Sequence, residues 1–140
     1  MPHIQIKGSW YFISFNSKRG ALPEPARKIV MDTIQYDRDK RYELFMAVVM
    51  PDHVHMLIRP LEKEPEKYFD LSEILNLIKG VSSRKINKLL GASGRLWWDE
   101  SYDTIIKNEA EFKARVEYMR KNPVKKRLVE KPEEYPFFLR

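Results

Sequence analysis

The chain has 140 residues, no cysteine and 26 Lys+Arg against 20 Asp+Glu, for a formal charge of +6 and a pI near 9.5. That length predicts one domain, residues 1–140, with a hydrophobic core, and the missing cysteines exclude disulfides and thiolate metal sites. No apolar run is long enough to span a bilayer and the N-terminus lacks a signal-peptide pattern, so a cytoplasmic protein with no membrane partner is expected, its basic balance favouring a polyanion through counterion release.

Residues 1–8 read as a loosely held lead-in, with His3 a surface histidine. Trp10 to Phe15 is aromatic and β-branched, a strand signal. Gly20 to Pro25 is a turn. From Pro25 to about Asp39 the positions Ile29, Val30, Thr33 and Ile34 recur at helical spacing. Tyr42 to Val49 reads as a strand, Pro51-Asp52 as a turn and His53 to Arg59 as a second strand, which predicts an antiparallel hairpin. Leu61 to Phe69 is charged and irregular, a loop. Asp70 then reads as an N-cap with Glu73 at the capping-box position, opening a helix with Leu71, Ile74, Leu75, Ile78 and Val81 on its apolar stripe. Trp97-Trp98 leads into a short strand over 102–106. Asn108 and Glu111 suggest a second capping box, on a helix that must end near Asn122-Pro123. The tail, with Pro132 and Pro136, reads as an extended wrap. The order β-α-β-β-α-β is that of an α+β, ferredoxin-like or RRM-like antiparallel sheet with helices on one face, followed by an additional C-terminal helix.

Two stretches carry candidate chemistry. In Met50-Pro51-Asp52-His53-Val54-His55-Met56-Leu57 the histidines are two apart on a predicted strand, so their imidazoles share a face and can form half of a metal site. Taken alone, the same pattern fits one packed histidine and one beside a turn. Asp52 fits a turn residue, or a support for a histidine ring. On the last helix Phe112, Val116 and Met119 make the buried stripe, and Tyr118 lies about 100° from its centre. Tyr118 shares a face with Glu111, Arg115 and Asn122, the last one turn further on. A phenol, a guanidinium and an amide therefore stand off the packing face. By itself this also fits a half-buried tyrosine and a C-terminal cap.

These motifs, with Leu77-Ile-Lys-Gly80, Trp98-Asp-Glu-Ser-Tyr-Asp103 and Glu117-Tyr-Met-Arg-Lys-Asn-Pro-Val124 in the same order, resemble the single-tyrosine HUH transposases, and within them the REP-associated tyrosine transposases. The resemblance covers nearly the whole chain. It implies nicking and rejoining of single-stranded DNA beside hairpins. Tyr118 would be the nucleophile of a 5′-phosphotyrosine link, and His53, His55 and Asn122 the ligands of a divalent metal, Mg²⁺ or Mn²⁺. It allows a homodimer that exchanges the tyrosine helix, or a monomer.

The residue types suit that chemistry. A phenol titrates near 10 and is a weak nucleophile at neutral pH, and a bound divalent ion helps by polarising the phosphate. The basic candidates for DNA contact are Arg115, Arg120 and Lys121 on the last helix and Lys79 and Arg84 on the one before it, although either group also fits a solvated helix face. Trp98 and Tyr102 are candidate base-stacking residues, Trp97 a core residue, and Glu100 and Asp103 capping residues or helpers of metal binding or proton transfer. Two rival readings remain open: a non-catalytic RRM-like nucleic-acid-binding module, and a metal-dependent hydrolase that forms no covalent adduct.

Overall fold

The computed structural model describes residues 5–140. The surface position expected of His3 falls outside the described residues. In chain order the elements are β1 (Tyr11–Ser17), α1 (Glu24–Asp37), β2 (Tyr42–Val49), β3 (His53–Pro60), β4 (Glu62–Glu64), β5 (Lys67–Tyr68), α2 (Leu71–Leu90), β6 (Trp97–Ile105), α3 (Glu109–Lys125), a 3₁₀ turn (Pro132–Glu134) and β7 (Phe138–Leu139). The main sheet has the order β6-β1-β3-β2-β7, and every pairing in it is antiparallel. The expected β-α-β-β-α-β sandwich and its extra helix are both present.

Alternation along the strands divides the sheet into two faces. Tyr11, Ile13 and Phe15 of β1 and Val54, Met56 and Ile58 of β3 are fully buried, on the side covered by α1 and α2. Those helices pack on one another and contribute Val30, Ile34, Ile74, Ile78 and Ile86 to the same core. Phe12, Leu57 and Met46 point to the opposite side, where α3 lies across β2 and β3. A bulge between Leu44 and Met46 turns Phe45 toward Trp10 and Phe112, and the three rings meet edge to edge at centroid distances of 4.8–6.4 Å. This aromatic group seats the first half of α3, and fully buried Met119 seats the second.

Several local expectations are corrected. Within the expected lead-in Gln5 is tied down: its amide donates to the Phe69 carbonyl and its oxygen accepts from the Leu71 N–H, at 2.8 and 2.9 Å. Gln5 thus satisfies an N-terminal donor of α2. No Asp70 side-chain cap forms there, and Glu73 pairs with Lys63 instead of closing a capping box. At α3 the Asn108 side chain does accept from the Glu111 N–H, while the Glu111 carboxylate reaches back to the Lys107 N–H rather than to that of Asn108. The 61–69 segment forms the small β4-β5 hairpin, not a plain loop. Strand β6 begins at Trp97, five residues earlier than expected, because Trp97 is buried against Phe15 and donates to the Ser82 hydroxyl. Helix α3 passes through Pro123 to Lys125; proline removes one N–H, and the Lys126 N–H still reaches the Asn122 carbonyl at 3.0 Å.

The tail is also more ordered than an extended wrap. Its strand β7 pairs with the free edge of β2, and the buried Tyr135 hydroxyl donates to the Val49 carbonyl. Changing Tyr135 to Phe leaves that carbonyl short of a donor. The expected loss is about 1 kcal/mol in urea unfolding at unchanged m-value; an unaltered midpoint would show that the tail contributes nothing to the edge of β2.

Candidate functional site

Strand β3 is the central strand of the five and is paired on both sides, so its alternation sets the site. His53 stands opposite Asn16, and His55 stands opposite Ser14 on one side and Val48 on the other. Both imidazoles project to the α3 side with ring centroids 4.7 Å apart.

His55 is 5% exposed, and the Phe12 ring lies nearly parallel to it at 5.2 Å. Neither of its ring nitrogens has a hydrogen-bond partner, although both are buried. Desolvation foremost, with the charges of His53 and Arg115 adding to it, lowers its pKa from 6.5 to about 3. His55 is therefore held as neutral imidazole, the form that donates a lone pair. His53 is oriented from both ends. Its Nδ1 lies 2.7 Å from the Asp52 carboxylate and its Nε2 lies 3.2 Å from the Asn122 amide oxygen. The Asp52 backbone carbonyl also accepts from the Ser17 N–H, so Asp52 is both turn residue and ring support.

Helix α3 completes the group. Asn122 is 3% exposed and faces the sheet. The expectation that it stands off the packing face is thus corrected: Met119, Asn122 and Pro123 are the buried residues of α3, and Phe112 and Val116 flank them half-buried. Tyr118 borders this strip at 43% exposure, its ring 5.4 Å from His55 and 6.0 Å from Phe12. Arg115, one turn earlier, places its guanidinium 4.3 Å above the Phe12 ring. Tyr102 reaches the same ring from β6 at 6.5 Å, and hydrogen bonding from Thr104, then Arg115, lowers its phenol below the usual value. Phe12 is thus the hub between His55, Tyr118, Tyr102 and Arg115. Sequence reading passed over it because a phenylalanine in a strand looks like any other core residue.

The donor set fits a divalent cation on these observations: a neutral imidazole with unused buried nitrogens, a second imidazole oriented by a carboxylate, and an amide oxygen beside it. Among the described residues no three His, Cys, Asp or Glu side chains form such a group, since the third donor here is an amide.

The remaining basic candidates are elsewhere or engaged. Lys79 lies across the sheet from Tyr118. Its ammonium donates to the Trp98 and Asp99 carbonyls and to the Ser101 hydroxyl at 2.6–3.2 Å, and burial lowers its pKa. Arg84 is exposed on the same helix, α2. Arg120 pairs with Glu133 and Glu117, and Lys121 with Glu117. Asp103, opposite Ile13, points to the α2 side. Trp98 and Tyr102 are 52% and 56% exposed.

Comparison with known proteins bears on the family and the fold. Residues 16–122 match the family model of IS200-like transposases. The REP-associated tyrosine transposase of Escherichia coli (strain K12) is 25% identical over 132 residues, covering 93% of this chain and 74% of that protein. The solved structure of a REP-associated tyrosine transposase bound to a REP hairpin has the same fold, with a TM-score of 0.79 at 23% identity over 99% of this chain and 80% of that one. A candidate transposase from Deinococcus radiodurans aligns with a TM-score of 0.53 at 18% identity, over 85% of this chain and 96% of that one.

The lowered pKa of His55 has a signed consequence. The unfolded chain takes up a proton near pH 6.5, whereas the folded, metal-free protein resists doing so until about pH 3, so stability is lost as pH falls through that window. In the metal-free protein the His55 ring resonances should keep neutral-imidazole shifts down to pH 4.5. A titration midpoint near 6.5 would mean that the ring is not desolvated.

Proposed function

This chain belongs to the IS200-like transposase family and is a DNA transposase, and we propose that it cuts and rejoins single-stranded DNA beside a hairpin through a phosphotyrosine on Tyr118. The observation that carries the reading is the convergence of four side chains from two segments, β3 and α3: the Tyr118 ring 5.4 Å from that of His55, and the Asn122 amide oxygen 3.2 Å from His53, on one face of one sheet. A nucleic-acid-binding module that only stacks bases has no use for buried, unpartnered imidazole nitrogens beside a half-exposed phenol. That the solved relative is bound to a REP hairpin makes hairpin-bearing single strands the first substrates to try.

In the proposed reaction the Tyr118 phenol oxygen attacks the phosphorus. The bond from phosphorus to the 3′ oxygen breaks, and the phenol's proton is balanced by the one gained at the departing 3′-hydroxyl. The 5′ phosphate stays on Tyr118 as a diester. Attack on it by another 3′-hydroxyl reverses the step and restores the phenol, so rejoining needs no outside energy source. His53, His55 and Asn122 would hold Mg²⁺ or Mn²⁺, which supplies polarisation of the phosphate and offsets charge in the transition state. Asp52 keeps Nε2 of His53 turned toward Asn122, and Phe12 fixes the plane of His55. Arg115, stacked on Phe12 beside the phenol, is placed to hold a phosphate oxygen of the strand. Because Lys79 is saturated across the sheet and Arg120 and Lys121 are paired with glutamates, Arg115 is the first basic residue of this surface to test.

Two outcomes test the reading. With labelled single-stranded DNA carrying hairpins and a divalent ion, the wild-type protein should give an adduct that survives a denaturing gel, while Tyr118→Phe gives none and binds DNA with unchanged affinity. Metal-dependent cutting without an adduct would instead indicate a hydrolase. Separately, calorimetry with Mn²⁺ should show affinity falling about 10-fold or more in Asn122→Ala and Asp52→Ala; unchanged affinity in Asn122→Ala removes the amide from the ligand set.

A further inference from the structure

Adjacent tryptophans at the start of β6 have opposite fates. Trp97 points into the core, 4% exposed and hydrogen-bonded to Ser82. Trp98, beside the break in register between β1 and β6, has more than half of its surface open to solvent. Lys18 holds its ammonium 4.8 Å over the indole ring. Beside this ring is a cleft of about 340 Å³ lined by Asn16, Lys18, Arg95, Trp98, Asp99 and Glu100. Its volume is at the lower end of small-molecule sites. Asn16 belongs to β1 and is the cross-strand partner of His53, so the cleft starts one strand away from the histidine pair.

The charges in the cleft decide what it suits. Lys18 and Arg95 are balanced by Asp99 and Glu100, and Arg95 is paired with Asp99. A neutral cleft with a carboxylate on its rim is a poor place for a phosphate. It suits a flat, uncharged ring that stacks on an indole and offers N–H groups to its edge. Asn16 can donate and accept, whereas the Glu100 carboxylate only accepts. We propose that this cleft binds one unpaired nucleobase flanking the phosphate presented to Tyr118. Trp98 is its stacking surface, Asn16 and Glu100 read its edge, and Lys18 meets the adjoining backbone. The rim favours bases with an exocyclic amine over thymine, whose edge offers a single ring N–H between two carbonyl oxygens that the Glu100 carboxylate repels. The protein then reads one position of the target directly.

This inference rests on the strand-cutting reading, but its test does not require cutting. Hairpin oligonucleotides with an unpaired flank, carrying 2-aminopurine at each flank position in turn, are titrated with the Tyr118→Phe protein. One position should be quenched by stacking. Trp98→Leu should remove that quenching and weaken binding about 10-fold, in line with the loss of one base–aromatic stack, while Trp98→Phe restores part of it. Thymine at that position should bind about 10-fold more weakly than the other bases, and Glu100→Ala should flatten the difference. Because Trp98 is exposed, its variants should unfold at the wild-type temperature, which separates stacking from folding. Equal affinity in Trp98→Leu, or a flank at which all four bases are interchangeable, overturns the proposal. An adduct on wild-type protein with no dependence on Trp98 sinks the base site and leaves the tyrosine chemistry. Quenching that depends on Trp98, with no adduct from wild-type protein, does the reverse.

Discussion

Strand β3 is hydrogen-bonded along both edges, to β1 over Tyr11–Asn16 and to β2 over Tyr42–Val49, and the site depends on this double pairing. Side chains alternate with a period of two, so a slip of one residue would turn His53 and His55 into the α1-α2 core and expose Val54 and Met56. Burial of Val54, Met56 and Ile58 opposes any such slip, since fully burying each large apolar side chain is worth about 1.5–3 kcal/mol. The apolar half of the strand thereby fixes the position of its polar half. An edge strand, paired on one side only, would hold two imidazoles less firmly.

The second requirement is that α3 lie flat on this face although it carries polar groups there. Met119 and the aromatic seat of Trp10, Phe45 and Phe112 attach it, which lets Asn122 be buried without carrying the packing itself. Asn122 then serves twice: its backbone carbonyl accepts from Lys126 at the end of the helix, and its side-chain oxygen faces His53. Pro123, which looks in sequence like a stop, costs only one N–H so close to the helix end. The unpartnered nitrogens of His55 are the costly element in this arrangement, because a buried polar atom without a partner gives up its hydration for nothing. Such a cost is sustainable where a ligand replaces the missing partner.

Positive charge is distributed less simply than the net value of +6 suggests. Lys79 is used up in holding the first half of β6 to α2, through two backbone carbonyls and Ser101. This also blunts part of a long edge strand that would otherwise offer free carbonyls to another chain. Arg19 similarly ties the end of α2 to the loop before β6, donating to Asn87 of the helix and to the Ser93 and Gly94 carbonyls. Of the basic residues singled out in the sequence, Arg115 is the one found beside Phe12 and Tyr118.

The sequence by itself determined the elements whose periodicity is strong and local. The hairpin of β2 and β3, the stripe of α2 and the spacing from Tyr118 to Asn122 follow from period-two and period-3.6 patterns, which need no knowledge of the partner surface. Tertiary structure decided whatever depends on residues distant in the chain. Gln5, 66 residues from Leu71, took the capping role that Asp70 and Glu73 suggested. The short β7 exists because β2 leaves an edge open for it. Asn122 turned inward because its amide meets His53, 69 residues away. Lys79, from a helix face that looked solvated, was drawn under β6. In each case a long-range hydrogen bond or a buried surface overrode a local preference worth a kcal/mol or less, and no window of neighbouring residues contains that information.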